Sequence, residues 1–353
     1  MKILEVNLPQ KKYSILIEKG ILNNIGKEIR KIYKNKKIAI ITDSNVEGLY
    51  GEKIIEILNK YDFQTKTIVI EPGEKSKSLH SAEEIYEELL DFEITRGDMI
   101  IAFGGGVVGD LAGFVASTLL RGIPFIQIPT SLLAQIDSSV GGKVAVNLPR
   151  GKNLVGSFYH PEAVFIDPDL LKTLDKRFLY DGMAEVIKYG CIRDKELFER
   201  LMTIENEEEL SNNMEEIILK CCTVKRDIVQ RDEKDNGERM LLNFGHTIGH
   251  GVEKSFGYKT YTHGEGVAIG MYNITRRSVE MNITKDKTSD LIKRILIKYN
   301  LPCEMPDIEK EEIINAVKLD KKNKGDRMNI VLLKEIGNAF IKNIDRKDVK
   351  LYI

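Results

Sequence analysis

Three histidines crowd one short stretch of the chain, "LLNFGHTIGHGVEKSFGYKTYTHGEG", which runs from Leu241 to Gly266. The 353-residue sequence contains only five, yet His246, His250 and His263 fall within eighteen residues. Converging imidazoles suit zinc or another borderline divalent metal. His246 and His250 stand four apart in a helix-like segment, so their side chains share one face. His263 follows a loop marked by Gly257 and Gly264 and can fold back onto that face. The stretch is not a zincin motif, because Thr247 stands where His-Glu-x-x-His carries its glutamate. Spacing leaves open which three side chains would ligate. His80 and His160 are isolated in sequence, and a lone histidine is more often a hydrogen-bonded core or surface residue than a ligand.

A second pattern, "MIIAFGGGVVGDLAGFVASTLL", holds Gly104-x-Gly106-x-x-Gly109 directly after an apolar strand and at the start of a helix. Bare glycine backbone there admits a pyrophosphate, and the helix amino terminus offers free N–H groups. The alternative is a tight strand-to-helix turn with no ligand. The loop lies far from the first strand and lacks an acid some twenty residues downstream, both unlike the dinucleotide fingerprint. Asp43, at the end of an earlier strand, could hold the ribose instead. Glu185 and Lys188, three apart in "YDGMAEVIKYG", share a helical face, a spacing that usually marks a surface salt bridge.

These residues need elements to position them. "KKIAIITDSN", "TKTIVIEPGEKSKS", "GDMIIAFGGG", "IPFIQIPTS" and "AVFIDPD" read as strands, with helical segments such as "SAEEIYEELLD" between them. That alternation predicts an α/β, Rossmann-like domain with a parallel sheet over residues 1–170, preceded by two edge strands in "MKILEVNLPQKKYSILIEKG". After Asp167-Pro168 amphipathic helix patterns take over, which predicts an all-helical domain over 171–353; the tail "MNIVLLKEIGNAFIKNI" fits a hairpin, a helix or a mixture.

The composition is that of a globular protein, 42% hydrophobic and 30% charged, and a net charge of -1 argues against nucleic acid as the main partner. The amino-terminal stretch has no signal-peptide pattern, so a cytoplasmic protein is expected. Met99 to Leu120 is apolar, but Asp110 and five glycines fit a strand, loop and helix better than a membrane span. Cys191, Cys221, Cys222 and Cys303 have no metal-type spacing and are expected to be reduced.

The ordered set "GGGVVGDLAGFVASTLLRG", "IPTSLLAQIDSSVGGKVAVN", "GKNLVGSF", "DGMAEVIKYG" and "LLNFGHTIGH...HGEG" closely resembles the 3-dehydroquinate synthase family over nearly the whole chain. The resemblance implies an NAD-binding domain, a helical metal-binding domain, an active site in the cleft between them and a homodimer. It assigns a zinc or cobalt ion to Glu185, His246 and His263, leaving His250 to work beside the metal. It puts NAD on Asp43, Asn45, Glu74, Lys77, Gly105, Gly106, Val107, Asp110, Thr130, Ser131, Lys143, Lys152, Leu170 and Thr173. The substrate, 3-deoxy-D-arabino-heptulosonate 7-phosphate, would meet Arg121, Asp137, Lys143, Lys152, Asn153, Lys188, Lys225, Arg239, Asn243, His250 and one of Lys321 and Lys322. The implied reaction is transient oxidation by NAD, β-elimination of phosphate, re-reduction and aldol closure to 3-dehydroquinate, as in the shikimate pathway. Scattered lysines and arginines suit a substrate with a carboxylate and a phosphate. Asp235 stands where the family pattern has a glutamate. Sister sugar phosphate cyclases and metal-dependent polyol dehydrogenases are the competing enzyme readings; an NAD-binding sensor is the non-enzymatic one.

Overall fold

The computed structural model describes residues 1–257, 259–307, 312–314 and 326–353. They form two compact units, Met1–Leu174 with Met214–Gln230, and Asp175–Asn213 with Arg231–Ile353. The first unit therefore takes in a helical segment from well beyond residue 170.

The first unit is built on a seven-stranded sheet. Its strands are β1 (Lys2–Asn7), β2 (Lys12–Ile17), β3 (Lys37–Asp43), β4 (Gln64–Ile70), β5 (Met99–Gly104), β6 (Phe125–Pro129) and, after a hairpin described below, β9 (Ala163–Ile166). The order is β1-β2-β9-β6-β5-β3-β4, and all neighbours run parallel except the β1–β2 edge pair. Strands buried on both faces read as continuous β-branched runs, and β5, "MIIAFG", is buried throughout. Alternate residues face opposite layers: Ile38 and Ile40 pack with α1 (Ile25–Ile32) and α2 (Ser44–Asn59), while Ala39 and Ile41 pack with α3 (Leu79–Asp91) and α4 (Gly106–Thr118). The chain leaves β3 for β4 on one side and returns to β5 on the other. The strand order thus reverses between β3 and β5, where open α/β sheets form a crevice at the carboxyl ends of their strands.

β7 (Lys143–Leu148) and β8 (Gly151–Phe158) make a separate antiparallel hairpin that the periodicity did not reveal. Its turn, Leu148-Pro149-Arg150-Gly151, has the proline and glycine placement of a β-turn, which is the local signal for it.

The second unit contains α5 (Lys176–Ile192), α6 (Lys195–Thr203), α8 (His246–Ser255), α9 (His263–Glu280) and α10 (Thr288–Lys298); α7 (Glu207–Arg231) is divided between the units. The expectation of an all-helical second domain needs one correction. β10 (Arg327–Glu335) and β11 (Asn338–Asp345) pair as an antiparallel hairpin around the Ile336-Gly337 turn, where Gly337 adopts a φ of 84°. All four thiols are reduced and buried, Cys221 and Cys222 in the first unit and Cys191 and Cys303 in the second. Among the described residues no helix is long and apolar enough to cross a membrane.

Candidate active site

Backbone glycine sets the geometry of the histidine cluster. Where α8 meets α9, a methyl on Gly249 would lie 2.8 Å from the Gly266 backbone, and one on Gly270 would run into the Gly245 carbonyl. Side-chain-free contact lets the helices approach closely enough for His246, on the first turn of α8, to face His263, on the first turn of α9. Their ring centroids are 5.1 Å apart, and His250, one turn along α8, lies 5.3 Å from His246 and 5.9 Å from His263.

Glu185, on α5, completes the group. Its side chain and that of Lys188 are buried, and Lys188 Nζ donates to Glu185 Oε2, so this pair is no surface bridge. Among the described residues Glu185 Oε1 has no hydrogen-bond partner, and it stands 3.5 Å from His246 Nε2 and 3.7 Å from His263 Nε2. A buried carboxylate oxygen left unpaired is costly. Donor atoms bound at about 2.1 Å to one ion sit roughly 3 to 3.5 Å apart, so the three atoms fit a shared divalent cation. Both imidazoles are oriented for it. His246 Nδ1 donates to the Phe244 carbonyl at 3.1 Å and His263 Nδ1 to Glu253 Oε1 at 3.0 Å, which directs each Nε2 toward Glu185. His250, Glu253 and His263 form an overlapping donor group, but there Glu253 already holds the His263 nitrogen that would have to ligate.

The charges differ sharply between the two rings. Burial, the nearby Lys188 ammonium and the other histidines hold His246 well below the usual imidazole range, so it is neutral. Burial pulls His263 down too, but the hydrogen bond and charge of Glu253, with Glu185 and Asp181, outweigh it and push the ring up to about 9. A metal must therefore displace the His263 Nε2 proton. Divalent-ion affinity is expected to rise about tenfold per pH unit between pH 6.5 and 9, as measured by competition with a chromophoric chelator. In the metal-free chain the sign is opposite: the raised group contributes stability fully present below pH 6.5 and lost as pH climbs through about 9. An affinity flat across that window would show that His263 is already neutral.

Glu253 and Asp181 escaped the reading of the sequence. Glu253 lies seven residues after His246 and Asp181 four before Glu185, both helical same-face spacings that could have pointed to them. Asp181 is buried and accepts the Gly264 N–H at 2.5 Å. Burial pushes its carboxyl up, against the pull of Thr262, His263 and the Gly264 amide. Arg239 and Asn243 lie in the turn Glu238–Asn243 leading to α8, and buried Arg239 donates to the Glu233 carbonyl at 2.6 Å. Asp235 adopts φ 60°, a left-handed conformation that aspartate tolerates better than longer or branched side chains.

The first unit gathers its candidates at the β3–β5 crevice and the β7–β8 hairpin. Asp43 Oδ1 caps α2 by accepting from the Asn45 and Val46 amides, and Gly105 is the N-cap of α4. Lys77 pairs with Asp110 at 2.5 Å, and burial pushes the Asp110 carboxyl up against that cation's pull. Glu74 accepts from Asn147 on the hairpin at 2.7 Å, and Asn147 in turn accepts the Asn153 amide at 2.8 Å. Asn153 lies beside Lys152 on β8, and Lys143 opens β7. Thr130 donates its amide to the Gly104 carbonyl, with Ser131 next to it. Lys225 donates to Asp137 Oδ1 at 2.5 Å. Leu170 is buried, and Thr173 bonds to Tyr50 at 2.7 Å.

The glycines of the turn have separate duties. Side chains on Gly104 and Gly109 would collide with Val108 and Gln127, whereas a Gly105 methyl would meet only Ser131 Oγ at an ordinary 3.5 Å. Packing does not require Gly105 to be bare; close approach of a pyrophosphate would, and Val107 follows in the same first turn. Arg121 is not brought to this turn, since the 13-residue helix α4 separates them by about 20 Å. Lys321 and Lys322 lie outside the described residues.

Known proteins resemble this chain in sequence and fold. The family model for the 3-dehydroquinate synthase N-terminal region matches residues 67–181, and that for the C-terminal region matches residues 182–323. A 3-dehydroquinate synthase of Clostridium acetobutylicum is 56% identical over 353 residues, covering 100% of this chain and 99% of that one. Among solved structures, 2-deoxy-scyllo-inosose synthase complexed with carbaglucose-6-phosphate, NAD+ and Co2+ superposes with a TM-score of 0.89 at 25% identity, covering 99% of each chain. The 2-epi-5-epi-valiolone synthase ValA of Streptomyces hygroscopicus, with NAD+ and Zn2+ bound, gives 0.86 at 25% identity over 98% of this chain and 96% of that one. With both family models matched end to end and a relative alike over its full length, the chain belongs to the 3-dehydroquinate synthase family.

Proposed function

We propose that this protein converts 3-deoxy-D-arabino-heptulosonate 7-phosphate into 3-dehydroquinate and phosphate, the second step of the shikimate pathway, using NAD and one divalent metal ion. The full-length likeness to a 3-dehydroquinate synthase carries this reading. Glu185, His246 and His263 are the metal ligands in it, and the β3–β5 crevice with the Gly105 turn holds the nucleotide. When bound, NAD removes and later returns one hydride while the metal polarises the sugar's hydroxyl and carbonyl oxygens.

The chain's own side chains bind and orient. Lys188 aims Glu185, with Oε2 engaged and Oε1 presented. Glu253 and the Phe244 carbonyl fix the two imidazoles by their Nδ1 atoms. Lys143, Lys152, Lys225 and Arg239 supply the cations that a carboxylate and a phosphate need, with Asp137, Asn153, Asn243 and His250 as polar partners. Asp43 takes the ribose hydroxyls with its second carboxylate oxygen, since the first caps α2. In this reading the protein is a cytoplasmic homodimer, which a mass measurement in solution tests.

The deciding experiment incubates the metal-loaded protein and NAD with the heptulosonate phosphate and follows phosphate, dehydroquinate and NADH together. One phosphate per dehydroquinate with no lasting NADH is expected. The fold shared with 2-deoxy-scyllo-inosose synthase favours one rival, a cyclase acting on another sugar phosphate. Phosphate release confined to such a sugar would replace the named substrate, and steady NADH accumulation without phosphate would indicate a dehydrogenase. Because Gly105 has room for a methyl, Gly105→Ala is expected to fold with a loss of about 1 kcal/mol or less. It should nevertheless weaken NAD binding at least tenfold in calorimetry; unchanged affinity would return the turn to a purely structural role.

A further inference from the structure

The amino end of α9 is closed by two residues from different places. Thr262 caps it locally, its hydroxyl accepting the Glu265 amide while Glu265 reaches back to the Thr262 amide. Asp181 reaches it from α5 and takes the Gly264 amide at 2.5 Å. Gly264 has no alternative there, because a methyl would run into the Asp181 carbonyl. Helix amino termini leave their first amides without intrahelical partners, so each such acceptor locks the first turn in place. The residue between these two anchors is His263.

Asp181 and Glu185 are separated by one helical turn of α5 and share its face. One rigid segment therefore carries both the carboxylate that faces the two imidazoles and the carboxylate that grips the turn bearing one of them. We propose that Asp181 is a positioning residue for the metal site, setting the Glu185 to His263 separation by capping α9 from α5. Its carboxylate oxygen acts as a hydrogen-bond acceptor of fixed reach. No contact with metal or substrate is required. This inference rests on the reading of Glu185, His246 and His263 as the metal ligands.

The test measures zinc affinity of the full chain by competition with a chromophoric chelator, beside thermal unfolding of the zinc-free protein. Asp181→Ala is expected to bind zinc about ten- to a hundredfold more weakly, with kcat recovering at saturating zinc. Asp181→Asn, whose amide oxygen still accepts from Gly264, is expected to stay within about threefold of the parent. Should the alanine variant fail to fold, Asp181→Ser serves, since its hydroxyl ends one bond short of Gly264 and the same zinc loss is expected. A residue needed only for stability would lower the unfolding temperature and leave zinc affinity unchanged, and that result overturns the proposal. Equal weakening by asparagine and alanine also overturns it, because charge and not reach would then be at work. His246→Ala is measured in parallel. If it loses zinc while the Asp181 variants do not, only the capping role falls; if it keeps zinc, the ligand reading falls and takes this inference with it.

Discussion

Glutamine in place of Glu185 is expected to give a folded protein that holds no stoichiometric divalent ion and turns over at least about a thousandfold more slowly. Glu185 is the one anionic donor among the three, and its free oxygen faces both imidazole nitrogens within 3.7 Å. A carboxamide is nearly isosteric but a poor ligand for zinc, so packing is retained while the site loses its charge. The amide oxygen can still accept from Lys188, which spares the fold the full cost of a buried, unpaired cation. Elemental analysis of the purified variant and turnover with added metal are the measurements. One ion per chain together with parental turnover would exclude Glu185 as a ligand. His250→Ala is the informative companion: it should keep the ion and lose turnover, since His250 is exposed beside the donor set and not within it.

Alanine at Gly270 is expected to be the most damaging small substitution in the second unit, costing about 3 kcal/mol or more. The added carbon would overlap the Gly245 carbonyl, which belongs to the backbone and cannot rotate aside. α8 and α9 would have to separate, and that drags His246 away from His263. Loss of zinc affinity should therefore accompany the fall in unfolding temperature. Gly48→Ala in α2 is the control, because a methyl there meets nothing within 4 Å and removes only the helix-interior penalty of glycine. Its expected effect is a gain of roughly 0.5 to 1 kcal/mol. If Gly270→Ala matched that control, the glycine crossing would have no structural importance.

Much of this was written locally. The parallel strands announced themselves because burial on both faces leaves continuous runs such as "KIAIITD" and "MIIAFG", and the histidine pair on α8 was legible from its four-residue spacing. The mixed donor set was not. Glu185 precedes His246 by some sixty residues, and only the packing of α9 against both α5 and α8 brings them together. The resemblance to a family supplied that pairing where spacing could not. The β7–β8 hairpin hid for another reason: β8 is largely exposed, so no hydrophobic alternation marks it. Glu253 and Asp181 were hidden by their ordinariness, since acids on helices are commonplace until the structure shows them buried.

The four buried thiols give the molecule an internal clock. Burial pushes the Cys191 and Cys222 thiols far up, the latter to about 12, and all four side chains are buried away from an alkylating reagent in the folded chain. Modification must then wait for an opening event. Because Cys221 and Cys222 sit in one unit and Cys191 and Cys303 in the other, the order in which the four are alkylated reports which unit opens first. Mass spectrometry of timed samples reads that order with no label engineered into the chain, and repeating it with zinc or NAD present assigns the protection each confers to a particular half of the sequence.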